Sequence, residues 1–376
     1  MPTLSVADHI RRLRPYVPGR PIEEVQRELG LTDVIKLASN ENPLGPSPRA
    51  LEAIQAAASG VALYPEGNAP TLREAVSALV QMPQDTLVFG NGSDEVLHLI
   101  ALSYLAPGDE VVQGDPSFAM YELYTAQMNA VSVKVPLTNH THDLDAMADA
   151  ITHQTRLVFV ANPNNPTGTL VTQAQVDRFL ERVPDDILVV FDEAYHEYVR
   201  HPDAPDLLPA IQGGRNVAVL RTFSKAYGLA GLRVGFGIMR PEIAETLNRV
   251  RSPFNVNLLA QAAAAAAAQD EEHLRRTLAV NDEGREYFYR EFQNRGLEYI
   301  PSEANFVMVD TGRDSRAMFD ALQRQGVIVR AGAGLGLPTF LRVSIGTMPQ
   351  NRRFVSALTD VLQKIPAAEN ILENNA

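Results

Sequence analysis

The stretch Leu220-Arg221-Thr222-Phe223-Ser224-Lys225-Ala226-Tyr227-Gly228-Leu229-Ala230-Gly231-Leu232-Arg233 decides how the rest of the chain is read. A β-like run, Asn216 to Leu220, leads into it, and a second apolar run, Leu232 to Met239, leads out. Its one lysine follows Ser224 and stands eight positions before Arg233. A lysine held in a dry pocket at a sheet edge loses its charge readily and becomes an amine nucleophile toward a carbonyl. A serine hydroxyl and an arginine fork beside it suit an anion, because the planar guanidinium bonds two oxygens at once. A carbonyl compound carrying its own phosphate would engage all three groups. A lone lysine beside a core strand is usually only a surface residue. The neighbouring segments therefore have to supply the rest of such a site.

Working outward, apolar β-branched runs alternate with helical segments on the N-terminal side. Thr86 to Phe89 reads as a strand, followed by Gly90-Asn91-Gly92-Ser93 and a helix from Asp94 to Tyr104. Strand, glycine turn and helix start together make an anion site from backbone N–H groups. The dinucleotide fingerprint is excluded, because its third glycine would fall on Glu95. Glu110 to Val112 and Ala130 to Val135 read as strands, with a helix around Phe118 to Met128 between them. Arg156 to Val160 runs into Asn162-Pro163-Asn164-Asn165-Pro166-Thr167-Gly168, and Ile187 to Phe191 into Asp192-Glu193-Ala194-Tyr195. Such a pattern predicts an α/β fold with a largely parallel sheet covered on both faces. Ligands of these sheets lie beyond the carboxyl ends of the strands. Four of those ends carry polar residues: Gly92/Ser93, Asn165, Asp192/Tyr195 and Ser224/Lys225.

Pyridoxal 5'-phosphate fits this series of strand ends. Lys225 would bond covalently to its aldehyde, and Asp192 would pair with the protonated ring nitrogen and keep the ring an electron sink. Tyr195 and Asn165 would face the phenolic oxygen, and Phe118 the ring. Gly92, Ser93, Ser224 and Arg233 would hold the phosphate. Once displaced by a substrate amine, Lys225 would carry a proton to and from Cα, which is the chemistry of transamination. Taken singly, each part has a plainer explanation: Asp192 as a turn cap, Asn165-Pro166 as a turn, Ser93 as a helix cap, Arg233 as a surface charge.

After Asn255 the texture changes to an Ala-rich helix from Leu258, a charged helix from Glu271 to Arg295, and a smaller α+β arrangement. Its strands are expected at Phe306 to Val309, Val327 to Arg330 and Leu341 to Gly346, with helices at Ser315 to Gln325 and Asn351 to Leu362. We expect an N-terminal arm over residues 1–34, a large domain over 35–256 and a small domain over 257–376, with both chain ends in the smaller body.

Composition narrows the classes. The 376 residues are 45% hydrophobic, enough for two cores. The net charge of −12, without a basic block, argues against nucleic acid and anionic membranes. The chain has 0 cysteines, so disulfides and thiolate metal sites are out. The first residues lack the apolar core of a signal peptide, and a cytoplasmic location is expected. His140 and His142 share a His-x-His spacing but no third ligand, so we read them as a solvated loop and expect no metal.

The motifs also resemble a known family. Asn165-Pro166-Thr167-Gly168, Asp192-Glu193-Ala194-Tyr195 and Ser224-Lys225 with Gly231-Leu232-Arg233-Val234-Gly235 are similar to those of fold-type I, aspartate-aminotransferase-like enzymes. Leu37 to Gly45, Tyr64-Pro65-Glu66-Gly67 and Gly90-Asn91-Gly92-Ser93-Asp94-Glu95 resemble the histidinol-phosphate aminotransferase branch, as does Arg330 to Gly346. The likeness runs from about Tyr16 to Arg353. It implies a seven-stranded, mostly parallel sheet between helices, and a homodimer in which Tyr64 reaches the partner's cofactor phosphate. It adds Asp94 to the cofactor contacts. It assigns Arg342, Arg330, Tyr16 and Asn42 to the substrate, whose acidic group is a glutamate carboxylate or a histidinol phosphate. Phe118 stands where many relatives have tyrosine. The resemblance leaves an aromatic amino-acid aminotransferase, or a threonine-phosphate decarboxylase-like lyase, as alternatives.

Overall fold

The computed structural model describes residues 4–13 and 19–367. In chain order its strands are β1 (Ile35–Lys36), β2 (Leu87–Gly90), β3 (Glu110–Asp115), β4 (Val131–Pro136), β5 (Thr155–Ala161), β6 (Leu188–Asp192), β7 (Val217–Thr222), β8 (Gly235–Met239), β9 (Tyr299–Ile300), β10 (Phe306–Asp310), β11 (Val327–Ile328), β12 (Arg330–Ala331) and β13 (Phe340–Ser344). Seven of them form one sheet in the order β2-β8-β7-β6-β5-β3-β4. Pairings from β7 to β4 are parallel, while β8 is antiparallel to both its neighbours. Because β8 runs against both, β2 points the same way as β7. The carboxyl ends of β2, β5, β6 and β7 therefore share one edge.

The alternation of side chains along a strand builds two cores from each run. Val158, Val160, Val189, Phe191, Val217 and Val219 face one layer, with Val176 and Phe179 of the helix Gln173–Arg182. Leu157, Phe159, Leu188, Val190, Ala218 and Leu220 face the other, with Val96, Leu97 and Ile100 of the helix Ser93–Tyr104. A strand apolar at every position thus reads correctly as one buried on both faces.

The second sheet is antiparallel, in the order β12-β13-β10-β9. The helices Glu271–Gln293, Ser315–Arg324 and Met348–Leu362 complete its core with Phe288, Met318 and Phe354. The expected strand from Val327 to Arg330 is two. Val327 and Ile328 pair in parallel with Ile35 and Lys36, whereas Arg330 pairs with Arg342.

Two placements differ from the expected division of the chain. An origin for the large domain at residue 35 puts β1 in it, but among the described residues β1 pairs only with β11, in the C-terminal body. A small domain starting at 257 would include the helix Leu258–Ala267. Its buried Ala260, Ala263, Ala264, Ala265 and Ala267 instead join the large core, beside Ala50 and Leu72 of the helices Pro48–Ala57 and Pro70–Val80. Alanine methyls let helices approach closely, and the short side chains carry little amphipathic signal to mark which body they face. Among the described residues, no helix is long and apolar enough to cross a membrane.

Candidate active site

A cavity of about 840 Å³ lies at the shared carboxyl edge of the large sheet and is walled on one side by Arg330, Leu335 and Arg342 of the smaller body. The loop after β7 carries Lys225 into it. Lys225 Nζ donates to the Ser39 carbonyl at 3.2 Å and lies 5.9 Å from the centre of the Tyr195 ring. Burial lowers the lysine pKa from 10.5 to about 8; Arg342 and Arg233 push the same way, and Glu41 and Asp192 oppose them. At that value a sizeable fraction of the amine is neutral near pH 7.5, as a nucleophile and general base requires.

Asp192 closes β6 and is buried. Burial lifts its carboxyl from 3.8 to about 6, against hydrogen bonds from the Tyr121 hydroxyl to Oδ2 at 3.0 Å and from the Ala194 amide to Oδ1 at 3.2 Å. Tyr195 accepts at its hydroxyl from Asn40 Nδ2 at 2.9 Å. Asn165 accepts at Oδ1 from Arg342 Nη1 at 2.5 Å, and Arg342 Nη2 donates to the Ala38 carbonyl at 2.9 Å. Phe118 lines the cavity and meets Tyr121 edge-on, 5.6 Å between centres.

An anion cup forms where β2 turns into its helix. Gly92, not Ser93, is the cap position, and Ser93 is the first helical residue, so the serine makes no cap hydrogen bond with its side chain. Gly92 has φ +83°, and a Cβ there would lie 2.6 Å from Arg233 Nη2. Arg233 Nη1 donates to Ser224 Oγ at 3.4 Å. The first-turn amides of that helix, the serine hydroxyls and the arginine fork thus converge, a donor set suited to a phosphate. Burial raises the pKa of Asp94, which Tyr124 and Arg233 counteract. Amine, carboxylate and phosphate cup together fit pyridoxal 5'-phosphate, and the crowding of Gly92 against Arg233 is what a close backbone cradle for a phosphate demands.

The smaller body contributes two cations. Arg330 and Arg342 are directly opposed across β12 and β13, so both side chains leave the same face, and both line the cavity. Arg342 packs on the Phe306 ring, 5.3 Å from its centre.

The sequence model of class I and II aminotransferases matches residues 32–358. The chain belongs to this family. Among its relatives, the histidinol-phosphate aminotransferase of Moorella thermoacetica is 56% identical over 94% of this aminotransferase and 92% of its own length. That of Symbiobacterium thermophilum is 52% identical, over 95% and 99%. A crystal structure of histidinol-phosphate aminotransferase from Sinorhizobium meliloti in complex with pyridoxal 5'-phosphate superposes with a TM-score of 0.89 at 29% identity, covering 96% of this chain and 98% of that one. Aspartate aminotransferase from Thermus thermophilus with maleate, at 21% identity and TM-score 0.83, shares the fold.

The aminotransferase gathers Gly92, Ser93, Asp94, Phe118, Asn165, Asp192, Tyr195, Ser224, Lys225, Arg233, Arg330 and Arg342 around one cavity. It does not bring Asn42 there. That amide donates to the Ala226 carbonyl and Thr277 Oγ1 and accepts from the Leu44 amide, fixing the loop behind Lys225. Tyr64 is 84% exposed and lies outside this chain's own cavity, stacked on Phe254. Tyr16 lies outside the described residues.

Sequence reasoning missed Tyr121, Ser39 and Asn40. Tyr121 stands three residues after Phe118, a helical spacing that was a usable signal. His142 is also a correction. It is 3% exposed rather than solvated, packed against Gly114, where a Cβ would lie 2.2 Å from its Nδ1. Burial lowers its pKa to about 4, so it is a neutral core residue. No metal-binding cluster exists among the described residues.

Proposed function

We propose that this aminotransferase interconverts L-histidinol phosphate plus 2-oxoglutarate with imidazole-acetol phosphate plus L-glutamate, using pyridoxal 5'-phosphate, as a step of histidine biosynthesis. The observation that carries the reading is the meeting of Lys225, Asp192 and the Gly92–Arg233 cup with the Arg330–Arg342 pair in one cavity. The substrate class follows the full-length relatives.

When bound, the cofactor supplies an electron sink that acidifies the substrate Cα–H. Lys225 would take that proton and return it, its amine partly neutral because burial holds its pKa to about 8. Asp192, ionised above about 6, would hold the charge on the ring nitrogen. Ser224, Arg233 and the helix start would anchor the cofactor phosphate. Tyr195 and Asn165 would face the phenolic oxygen, with Phe118 against the ring. Arg342, assisted by Arg330 and Tyr16, would hold either a carboxylate or a phosphate, since a guanidinium fork accepts oxygen pairs of both.

The working unit is a homodimer in this reading. Val61, Leu63, Tyr64 and Phe254 form an exposed apolar patch, the kind of surface that marks an interface. Tyr64 would leave its own chain there for the partner's phosphate cup. The absence of cysteine suits work in the reducing cytoplasm.

A substrate panel tests the assignment. Histidinol phosphate, phenylalanine, tyrosine and O-phosphothreonine are each supplied to the holoenzyme, the first three with 2-oxoglutarate. Histidinol phosphate is expected to give the highest kcat/KM by at least about tenfold, the discrimination available from one well-placed charged contact. Faster turnover of phenylalanine would replace the reading with aromatic transamination, and carbon dioxide from O-phosphothreonine with a lyase.

A further inference from the structure

We propose that Tyr121 is a positioning residue for the transamination: its hydroxyl holds Asp192 in the orientation that meets the cofactor ring nitrogen, and its ring braces Phe118 against the ring face. The proposal rests on the cofactor site described above.

Tyr121 is wholly buried at the start of the helix Met120–Gln127. Its ring lies against Phe159 of β5, 5.0 Å between centres and 25° from parallel, and meets Phe118 edge-on at 85°. The hydroxyl donates to Asp192 Oδ2 at 3.0 Å while the Ala194 amide takes Oδ1 at 3.2 Å. Each carboxylate oxygen thus has one donor, and the two donors come from different elements. The carboxyl plane cannot turn without losing both. A phenol that only filled space would have no need of a buried carboxylate as its partner, and one ring here touches both groups expected to contact the cofactor ring.

The surroundings of Asp192 give the hydroxyl leverage. Asp94 approaches from the helix Ser93–Tyr104 and Glu193 from the same strand end; both favour a proton on Asp192. Tyr121 and the Ala194 amide favour the ionised form, and Lys225, from the loop after β7, is coupled to the same carboxylate. Tyr195, from beyond the strand end, acts on Tyr121 itself and favours its protonated hydroxyl. Removing the Tyr121 hydroxyl leaves one hydrogen bond against two acidic neighbours. Asp192 then keeps its proton to higher pH and is a poorer partner for a charged ring nitrogen.

The test uses the purified holoenzyme and Tyr121→Phe, which preserves the ring stack. We expect kcat to fall about tenfold to a hundredfold, the effect of one hydrogen bond to a charged group, with KM for the amino donor within about twofold of wild type. The acidic limb of the kcat profile, and of the bound cofactor's absorbance against pH, should move up by about one pH unit. Limbs that stay in place overturn the proposal, as does a loss confined to thermal stability. If Tyr121→Phe does not yield folded holoenzyme, Phe159→Leu loosens the tyrosine without removing its hydroxyl. The same upward displacement, smaller in size, is then expected, and an unmoved limb again overturns the proposal. A wild-type protein that takes up no pyridoxal 5'-phosphate would instead sink the cofactor reading itself.

Discussion

Lys225 and Asp192 titrate outside their ordinary ranges for one shared reason, burial, and in opposite directions. The raised Asp192 pKa favours the folded cofactor-free chain fully below the unfolded value near 3.8, and that help is lost as pH rises through about 6. The lowered Lys225 pKa favours folding above 10.5, and that help is lost as pH falls through about 8. Between pH 6 and 8 both groups are mostly charged in a site that resists charge. Asp192→Asn is therefore expected to stabilise the cofactor-free protein at pH 7, by on the order of 1–3 kcal/mol, and to leave it unchanged near pH 4. Thermal melts of cofactor-free protein at the two pH values check this; a lower melting temperature at pH 7 would contradict it. In the holoenzyme the sign should reverse, because the ring loses its partner. The lysine and the aspartate were legible in the sequence because each ends or follows an apolar run that could only be a core strand. Tyr121 was signalled only by its spacing from Phe118, and its bond to Asp192 depends on where a helix aims one hydroxyl. Asn42 misled because a motif shows which residue is present, not that its amide is turned to Ala226 and Thr277.

Among the elements, the turn from β2 into the helix Ser93–Tyr104 has the least room for change. Gly92 combines φ +83° with a Cβ position 2.6 Å from Arg233 Nη2. Gly92→Ala should displace that arginine and strain the turn, weakening cofactor affinity by about tenfold or more while the sheet stays folded. Titration of cofactor-free protein with pyridoxal 5'-phosphate, followed by absorbance, measures the loss; wild-type affinity would remove Arg233 and Gly92 from the cup. The elements most readable from sequence were those with strong pattern: β5, β6 and β7, each apolar on both faces. The helix Leu258–Ala267 was recognised but assigned to the wrong body, because a run of alanines has no polar face to orient it. The break between β11 and β12 was invisible, since both halves are short, apolar-flanked and extended, and only their partners differ.

For the whole molecule, the exposed Tyr64 predicts shared sites between two chains. If Tyr64 serves the partner's cup, Tyr64→Ala and Lys225→Ala subunits should each be nearly inactive as homodimers. Mixed after reversible dissociation, they should regain activity, because one of the two sites in a heterodimer has both residues intact. Recovery of about a quarter of wild-type activity is the statistical expectation for equal mixing with sites shared in this way. No recovery in a mixture shown to contain heterodimers would mean that each chain completes its own site. Sequence could suggest this arrangement only through resemblance, because an interface residue looks like any exposed tyrosine until the fold shows that it lies outside its own cavity.

The pairing of β1 with β11 has a consequence for how the protein is made. The loop that follows β1 places the Ser39 carbonyl on Lys225, and its Asn40 is tied to Ser344 across 304 residues of sequence. A ribosome delivers these partners at opposite ends of translation. The loop must therefore remain without its contacts to β13 until almost the whole chain has emerged. Contacts so distant in sequence form late, after the costly closure of a long chain loop. The large sheet can assemble earlier, but the environment of its lysine is completed only by the last part of the chain. Premature termination before β13 would leave a body with the nucleophile and without the wall that positions it.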